Sequence, residues 1–176
     1  MAPLSDEKWE QLAPLLHIKE YAKGDWLLKE GEICQEVNFL IKGLVRHYYV
    51  KEGNELTRQF FFENGFSMDM ASAVSQQPSR VNIQTLEDCQ ILKIPFSVLE
   101  SLTPLFIIAL KDNVVHIANR VAAVFLDSPE EQYLELVRTR PKVIQRVPQF
   151  LIASYLGITP EGLSRIKKRI ADRERS

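Results

Sequence analysis

A segment near the C-terminus, Gln149–Arg169, has the spacing of a helix-turn-helix. Gly157 falls at the sharp turn between two helices, and Ala153, four residues earlier, falls where the helices cross too closely for a larger side chain. The run Thr159–Glu161 (Thr-Pro-Glu) is a typical helix start, with an N-cap, a proline at the first position and an acid favoured by the dipole. The inward positions of both helices are apolar: Ile152, Leu156, Ile158, Leu163 and Ile166.

The exposed side of the second predicted helix is basic. It carries Ser164, Arg165, Lys167, Lys168 and Arg169. Residues 138–176 hold ten Lys/Arg and three Asp/Glu, a net charge of +7, whereas the chain as a whole is at −1, so the first 137 residues carry −8. A basic end on an acidic body suits contact with a phosphate backbone, and such a helix fits the DNA major groove. Two alternatives are a helical hairpin that docks on a protein partner and a solvated basic tail.

Residues 18–94 predict an all-β domain. Turn signals that contain glycine recur every seven to twelve residues, at Lys23–Asp25, Glu30–Glu32, Lys42–Gly43, Glu52–Asn54 and Glu63–Gly65. This spacing favours a sandwich or jelly roll over βαβ units. Four runs have strand composition: Val37–Ile41, Leu44–Val50, Val81–Thr85 and Cys89–Ile94. Before this region, a helix capped by Ser5 is predicted to run through Leu16. After it, the spacing of apolar residues again becomes helical from Pro95 on.

One long helix is predicted next, from Pro104 in its first turn to Leu126, about 35 Å in length. Its apolar residues recur at alternating spacings of three and four: Ile107, Leu110, Val114, Ile117, Val121 and Val124. This a/d pattern suits pairing with an identical helix. A second stripe is expected to pack on the β domain: Ile108, Val115, Ala118, Ala122 and Phe125. The alternative is an amphipathic core helix with no partner, but two stripes favour dimerisation.

Three prolines organise the segment that follows. Ser128, before Pro129, is expected to cap a helix that runs through Arg138. Pro141 is expected to end that helix, and Pro148 to begin the helix-turn-helix.

Composition limits the other classes of function. The longest uncharged apolar run, Leu102–Leu110, is about half a membrane span. Because the N-terminus also lacks the apolar core of a signal peptide, we expect a cytoplasmic protein with no membrane partner. Cys34 and Cys89 lack metal-ligand or redox spacing. A cupin-type metalloenzyme needs clustered His and carboxylate ligands, but His17 and His47 provide two at most, so we predict neither a metal site nor an enzyme.

The order of these parts resembles the Crp/Fnr family of bacterial transcription regulators over nearly the whole chain. The most similar segments are Lys23–Glu32, Phe39–Val45 and Ile152–Ile166, and Ser128–Leu136 is similar to the branch found in Bacteroidetes-type bacteria. The resemblance implies an α+β fold. Its parts would be an N-terminal antiparallel β-roll of the jelly-roll, cyclic nucleotide-binding-like type (residues 1–102), a dimerisation helix (103–127) and a helix-turn-helix domain (128–176). It also implies a homodimer that binds double-stranded DNA, with RNA polymerase as a further candidate partner.

In this family a glutamate and an arginine four residues apart read bases, and here they match Glu161 and Arg165. A carboxylate can accept from cytosine N4, and an arginine can bind guanine O6 and N7 together. Ser164 and Lys168 are expected to add base or phosphate contacts, whereas Pro160 replaces a frequent base-reading side chain, so one contact is expected to be lost. The predicted set also includes Thr159, Lys167 and Arg169. The alternatives are a helix-dipole role for Glu161 and a phosphate contact for Arg165.

Members of the family that bind cyclic AMP hold it with a Gly-Glu pair and with an Arg followed by Ser or Thr. The corresponding positions here are Ser67, Met68, Asp69, Ser79 and Arg80. The Gly-Glu pair is absent, and Arg80 comes one residue too late, a shift that turns a strand side chain to the opposite face. Asp69 without an arginine would repel a phosphate. We therefore expect an unidentified small-molecule effector or none, and not cyclic AMP. No iron–sulfur cysteine cluster or certain cofactor is identified.

The family usually follows its recognition helix with a β-hairpin wing. Ile170–Ser176 is polar and too short for a hairpin, so we expect the wing to be short or absent, with a basic tail in its place. The second hypothesis for the whole chain is a protein-binding regulatory module with a degenerate effector domain.

Overall fold

Eight strands form two four-stranded sheets in the described residues of the computed structural model, which are 10, 13–101 and 103–174. The strands are β1 (His17–Tyr21), β2 (Trp26–Leu28), β3 (Glu36–Lys42), β4 (Val45–Lys51), β5 (Asn54–Phe61), β6 (Phe66–Ser67), β7 (Asn82–Thr85) and β8 (Cys89–Pro95). One sheet has the order β1-β8-β3-β6 and the other β2-β7-β4-β5. Pairing is antiparallel between β1 and β8, β3 and β8, and β2 and β7. The predicted β-roll is confirmed, and each of the four predicted strand runs matches a strand within about a residue at either end.

The core lies between the two sheets. Val37, Leu40 and Ile91 come from one sheet and Val45 and Ile83 from the other, and all five are fully buried. The strand runs place β-branched and aliphatic side chains on the inward faces of the two sheets, and these side chains are therefore buried.

The turn between β3 and β4 depends on a close approach of the chain to itself. Gly43 has φ +107°, and a Cβ there would collide with Sγ of Cys89. Burial raises the pKa of the Cys89 thiol, and that of Cys34 as well. Both cysteines therefore act as small apolar core residues.

Seven helices are described, with bounds α1 (Met70–Ser75), α2 (Phe96–Ser101), α3 (Thr103–Leu126), α4 (Pro129–Thr139), α5 (Pro141–Arg146), α6 (Gln149–Tyr155) and α7 (Pro160–Glu174). The long helix and the Ser128 cap are confirmed. Ser128 forms a capping box with Glu131, and these hydrogen bonds lower the pKa of the Glu131 carboxyl. No helix in the described part of the chain is long and apolar enough to cross a membrane.

Two expectations need correction, and a third concerns residues that lie mainly outside the described ones. Pro141 not only ends α4 but begins α5, since proline fits the first helical position. Residues 170–174 continue α7, so that most of the expected tail is helical. The predicted N-terminal helix falls mainly on residues 1–9, 11 and 12, outside the described residues, whereas Ala13–Leu15 form a 3-10 turn.

The second stripe of α3 is not buried as expected. Val115, Ala118, Ala122 and Phe125 are exposed, and Ile108 lies outside the described side chains. The chain divides into two units, one of residues through His47 with Phe60–Asp112, the other of Tyr48–Gln59 with residues from Asn113 on. This division assigns the outer half of the β4–β5 hairpin to the helical unit, and the predicted boundaries after residues 102 and 127 stay a prediction.

Candidate nucleic-acid interface

The turn between α6 and α7 has the geometry that its sequence predicts. Gly157 has φ +70°, and the amide of Ile158 donates to the carbonyl of Ala153 across 3.0 Å. Ala153 is fully buried at this turn. The Thr159 hydroxyl accepts from the amide of Gly162 at 3.1 Å, which makes Thr159 the N-cap of α7.

The two helices separate apolar from polar side chains. Ile152, Leu156, Leu163 and Ile166 are buried, and Ile158 is half-buried. The predicted DNA-binding residues are all exposed: Thr159, Glu161, Ser164, Arg165, Lys167, Lys168 and Arg169. The fold therefore presents them together on one helix, and their contact with DNA stays a prediction.

Glu161 remains ionised at the start of α7. Hydrogen bonds from its own backbone amide and from the Thr159 hydroxyl lower the pKa of the Glu161 carboxyl, and the Arg165 guanidinium adds to this effect. An ionised carboxylate can accept a hydrogen bond, as cytosine N4 recognition requires.

Some of the basic side chains on α7 are already engaged within the protein. Glu130 of α4 binds Arg169 and Arg173 at 2.6 Å each, and Lys167 donates to the Gln149 side chain at 3.0 Å. In contrast, the side chains of Arg165 and Lys168 form no hydrogen bond or salt bridge with another described residue. These three contacts anchor α7, whereas the Arg165 and Lys168 side chains are exposed and left for binding.

Arg120 of α3 links the long helix to α6, a role that was not predicted from the sequence. Its guanidinium donates to Gln132 at 2.8 Å and to the backbone carbonyl of Tyr155, and it lies 4.2 Å from the centroid of the Tyr155 ring. One feature of the sequence could have indicated this role, since Arg120 is the only Lys or Arg between Lys111 and Arg138. The Arg120 guanidinium binds a carbonyl at the C-terminal end of α6, where the helix dipole favours a cation.

Ser154 of α6 is a second contact that the sequence did not indicate. Its hydroxyl donates to the carbonyl of Glu55 at 2.8 Å and accepts from the amide of Thr57 at 3.0 Å. A single side chain thus satisfies two backbone groups of strand β5.

The two glycines of the motif allow a matched test of the turn. We expect Gly157→Ala to lower the free energy of unfolding by about 1–2 kcal/mol, because alanine is strained at positive φ. Gly162→Ala is expected to raise it by about 0.5–1 kcal/mol, because its Cβ would meet only ordinary contacts in the helix. Urea denaturation followed by circular dichroism measures both, and equal effects would contradict the assigned turn.

The candidate effector residues of the β-roll lie close together but do not form a cationic site. Ser67, Met68, Asp69 and Ser79 are buried, whereas Arg80 is exposed. The Ser79 hydroxyl donates to the Asp69 carboxylate at 2.7 Å. The interior position next to Asp69 therefore carries a hydroxyl, and the arginine one residue later faces outward.

Comparison with known proteins agrees with this architecture. The model of the cyclic nucleotide-binding domain family matches residues 18–103. No curated protein matches the chain. Among solved structures, the c-di-GMP-responsive global regulator CLP of Xanthomonas campestris is similar with a TM-score of 0.72 at 18% identity, over 97% of this chain and 93% of CLP.

Two further structures share the fold. One, described as a transcriptional regulator of the Crp/Fnr family from Eubacterium rectale, gives a TM-score of 0.74 at 15% identity, over 97% of this chain and 85% of that one. FixK2 from Bradyrhizobium japonicum gives 0.72 at 15% identity, over 90% and 86%. Residues 18–103 are thus similar to the cyclic nucleotide-binding domain family, and the chain shares the fold of these solved regulator structures.

Proposed function

We propose that the chain is a homodimeric, sequence-specific DNA-binding transcription regulator that reads a palindromic site through α7. The observation that carries the proposal is the surface of α7, where Arg165 and Lys168 are exposed and unengaged above the buried Leu163 and Ile166. Glu161 and Arg165, one turn apart, supply an acceptor and a bidentate donor for base edges. This is a binding role and not an enzymatic one, exercised in the cytoplasm on DNA and, at a promoter, beside RNA polymerase.

The dimer would form through the a/d stripe of α3. Five of its six apolar residues are exposed in the single chain, namely Ile107, Val114, Ile117, Val121 and Val124, and Leu110 is half-buried. An apolar seam of this length on one helix is stabilised by pairing with a second copy. Two α7 helices would then enter successive major grooves about 34 Å apart.

An effector in the β-roll would control the dimer by favouring one of two arrangements of the helices. Its identity is open, and the Ser79–Asp69 pair argues against cyclic AMP. A carboxylate at this position repels a phosphate unless a cation faces it.

Selection from random duplex DNA tests the proposal. At moderate salt, the purified full chain is expected to enrich a palindrome whose half-site centres are 10–10.5 base pairs apart, or a multiple of that. Enrichment of a single unpaired half-site would contradict the dimer, and recovery of unselected sequence would contradict specific DNA binding altogether. In that last case the protein-binding module becomes the better hypothesis.

A further inference from the structure

Glu130, in the first turn of α4, joins that helix to the C-terminal half of α7. One of its carboxylate oxygens binds the Arg169 guanidinium and the other binds that of Arg173, each at 2.6 Å. The Glu130 side chain is only 16% exposed. A largely buried carboxylate with a cation on each oxygen is held more firmly than an exposed ion pair, which contributes little. This arrangement, the Glu130 clamp, therefore fixes two cations of α7 within the protein.

The two clamped arginines belong to the same row of side chains as the proposed base readers. Four side chains follow one another at intervals of four residues along one side of α7: Glu161, Arg165, Arg169 and Arg173. Arg165 forms no hydrogen bond or salt bridge with another described residue, whereas Arg169 and Arg173 are bound by Glu130. One row of the helix thus has an available cation in its N-terminal half and engaged cations in its C-terminal half.

Arginines released at this end of α7 would strengthen binding to DNA of any sequence. A contact between arginine and a phosphate adds affinity but reads no base. On an unrelated duplex no base contact fixes the helix, so it can shift until such arginines meet phosphates. On the correct site the base contacts fix the helix and limit this adjustment. Released arginines would therefore favour wrong sequences more than the right one, and specificity is the difference between the two affinities.

We propose that Glu130 is a positioning residue for DNA recognition, which keeps Arg169 and Arg173 from contacting the phosphate backbone and so limits the sequence-independent affinity of α7. The inference rests on the proposed function, because it takes α7 as the helix that faces DNA. Arg169, a DNA contact in the prediction from sequence, then serves to hold α7 on α4.

Glu130→Gln tests the clamp, since it removes the charge and nearly preserves the shape of the side chain. We expect the affinity for an unrelated duplex to rise roughly threefold to tenfold, and its logarithmic salt dependence to steepen by about one or two phosphate contacts per chain. The gain on the selected palindrome should be smaller, so that the ratio of the two affinities falls. Fluorescence anisotropy of the full chain at several salt concentrations measures both. A purely structural role for Glu130 predicts the opposite, weaker binding to both duplexes.

A double variant, Arg169→Gln with Arg173→Gln, tests the same idea from the other side of the clamp. In the otherwise wild-type chain it is expected to leave the salt dependence on the unrelated duplex unchanged, because neither arginine contacts phosphate there. Combined with Glu130→Gln, it is expected to abolish the gain, since the released cations are then absent. This non-additivity is the signature of residues that act through one another.

Glu135→Gln is the matched control. It removes the same charge from the same helix and releases one arginine, Arg138, which is exposed on α4 and not on α7. We expect it to change the affinity for the unrelated duplex little. A similar gain in both variants would mean that net charge, and not the clamp, sets the affinity. Circular dichroism confirms that each variant is folded.

Three results would overturn the proposal: a Glu130→Gln variant that binds the unrelated duplex no more tightly than the wild type, an equal gain in Glu135→Gln, or a reduced salt dependence in the arginine double variant. The last would show that Arg169 and Arg173 already contact phosphate. Should Glu130→Gln fail to fold, the arginine double variant decides. The proposed function is tested separately, by the preference of the wild type for the palindrome, so that the two failures are distinguishable.

Discussion

Arg165→Ala is expected to weaken binding to the selected palindrome by roughly 30-fold to 20,000-fold. Each half-site would lose a bidentate contact to guanine worth about 1–3 kcal/mol, and a dimer loses two. Discrimination at the contacted base pair should relax in the same variant, because alanine cannot distinguish guanine from the other bases. Fluorescence anisotropy at fixed salt, with the selected duplex and with single-base variants, measures both effects.

Variants of two other basic residues distinguish recognition of a base from general electrostatic attraction to DNA. Lys168→Ala is expected to weaken binding similarly on all sequences and to reduce the dependence of affinity on salt by about one phosphate contact per protomer. Arg138→Ala removes an exposed cation that is paired with Glu135 on α4, and we expect little change on any duplex. If Arg165→Ala behaves like Lys168→Ala, Arg165 contacts phosphate. If it behaves like Arg138→Ala, the helix-turn-helix docks elsewhere.

The sequence predicted the parts of the fold that depend on local signals. Gly157 at positive φ, Thr159 at the helix start and Ser128 in its capping box each act within four residues, so their roles can be read directly from the chain. The bounds of α3 followed in the same way from Thr103-Pro104 and the apolar spacing. Pro141 shows the limit of such signals, because proline both stops one helix and starts the next.

The rest of the site depends on contacts between distant residues. Glu130 meets Arg169 and Arg173 only once α4 packs beside α7, some 40 residues later in the chain. The contacts of Arg120 with Gln132 and with the Tyr155 carbonyl likewise require that α3 meets α4 and α6, and no spacing in these segments indicates them. Periodicity correctly separated the exposed from the buried side of α7, but the partners that engage part of its charge could not be inferred from it.

The second large effect concerns the dimer. Val114→Asp is expected to convert the protein from dimer to monomer at micromolar concentration, because pairing would bury two facing carboxylates in the seam. A cost of about 3 kcal/mol or more, expected when a charge is buried without a partner, raises the dissociation constant over 100-fold. Sedimentation equilibrium measures the change, and affinity for the palindrome should fall towards that for an isolated half-site.

Val115→Asp is the matched control for the same helix. Val114 and Val115 are adjacent and expose 56% and 59% of their surface. An aspartate is therefore equally well solvated at either position in the single chain. Only Val114 belongs to the a/d stripe, since the positions three and four residues away on its side are Leu110 and Ile117. Dissociation by Val114→Asp alone therefore identifies the seam. Dissociation by Val115→Asp alone would move the interface to the second stripe, with Phe125 at its C-terminal end, and the half-site spacing would have to be derived again from that pairing.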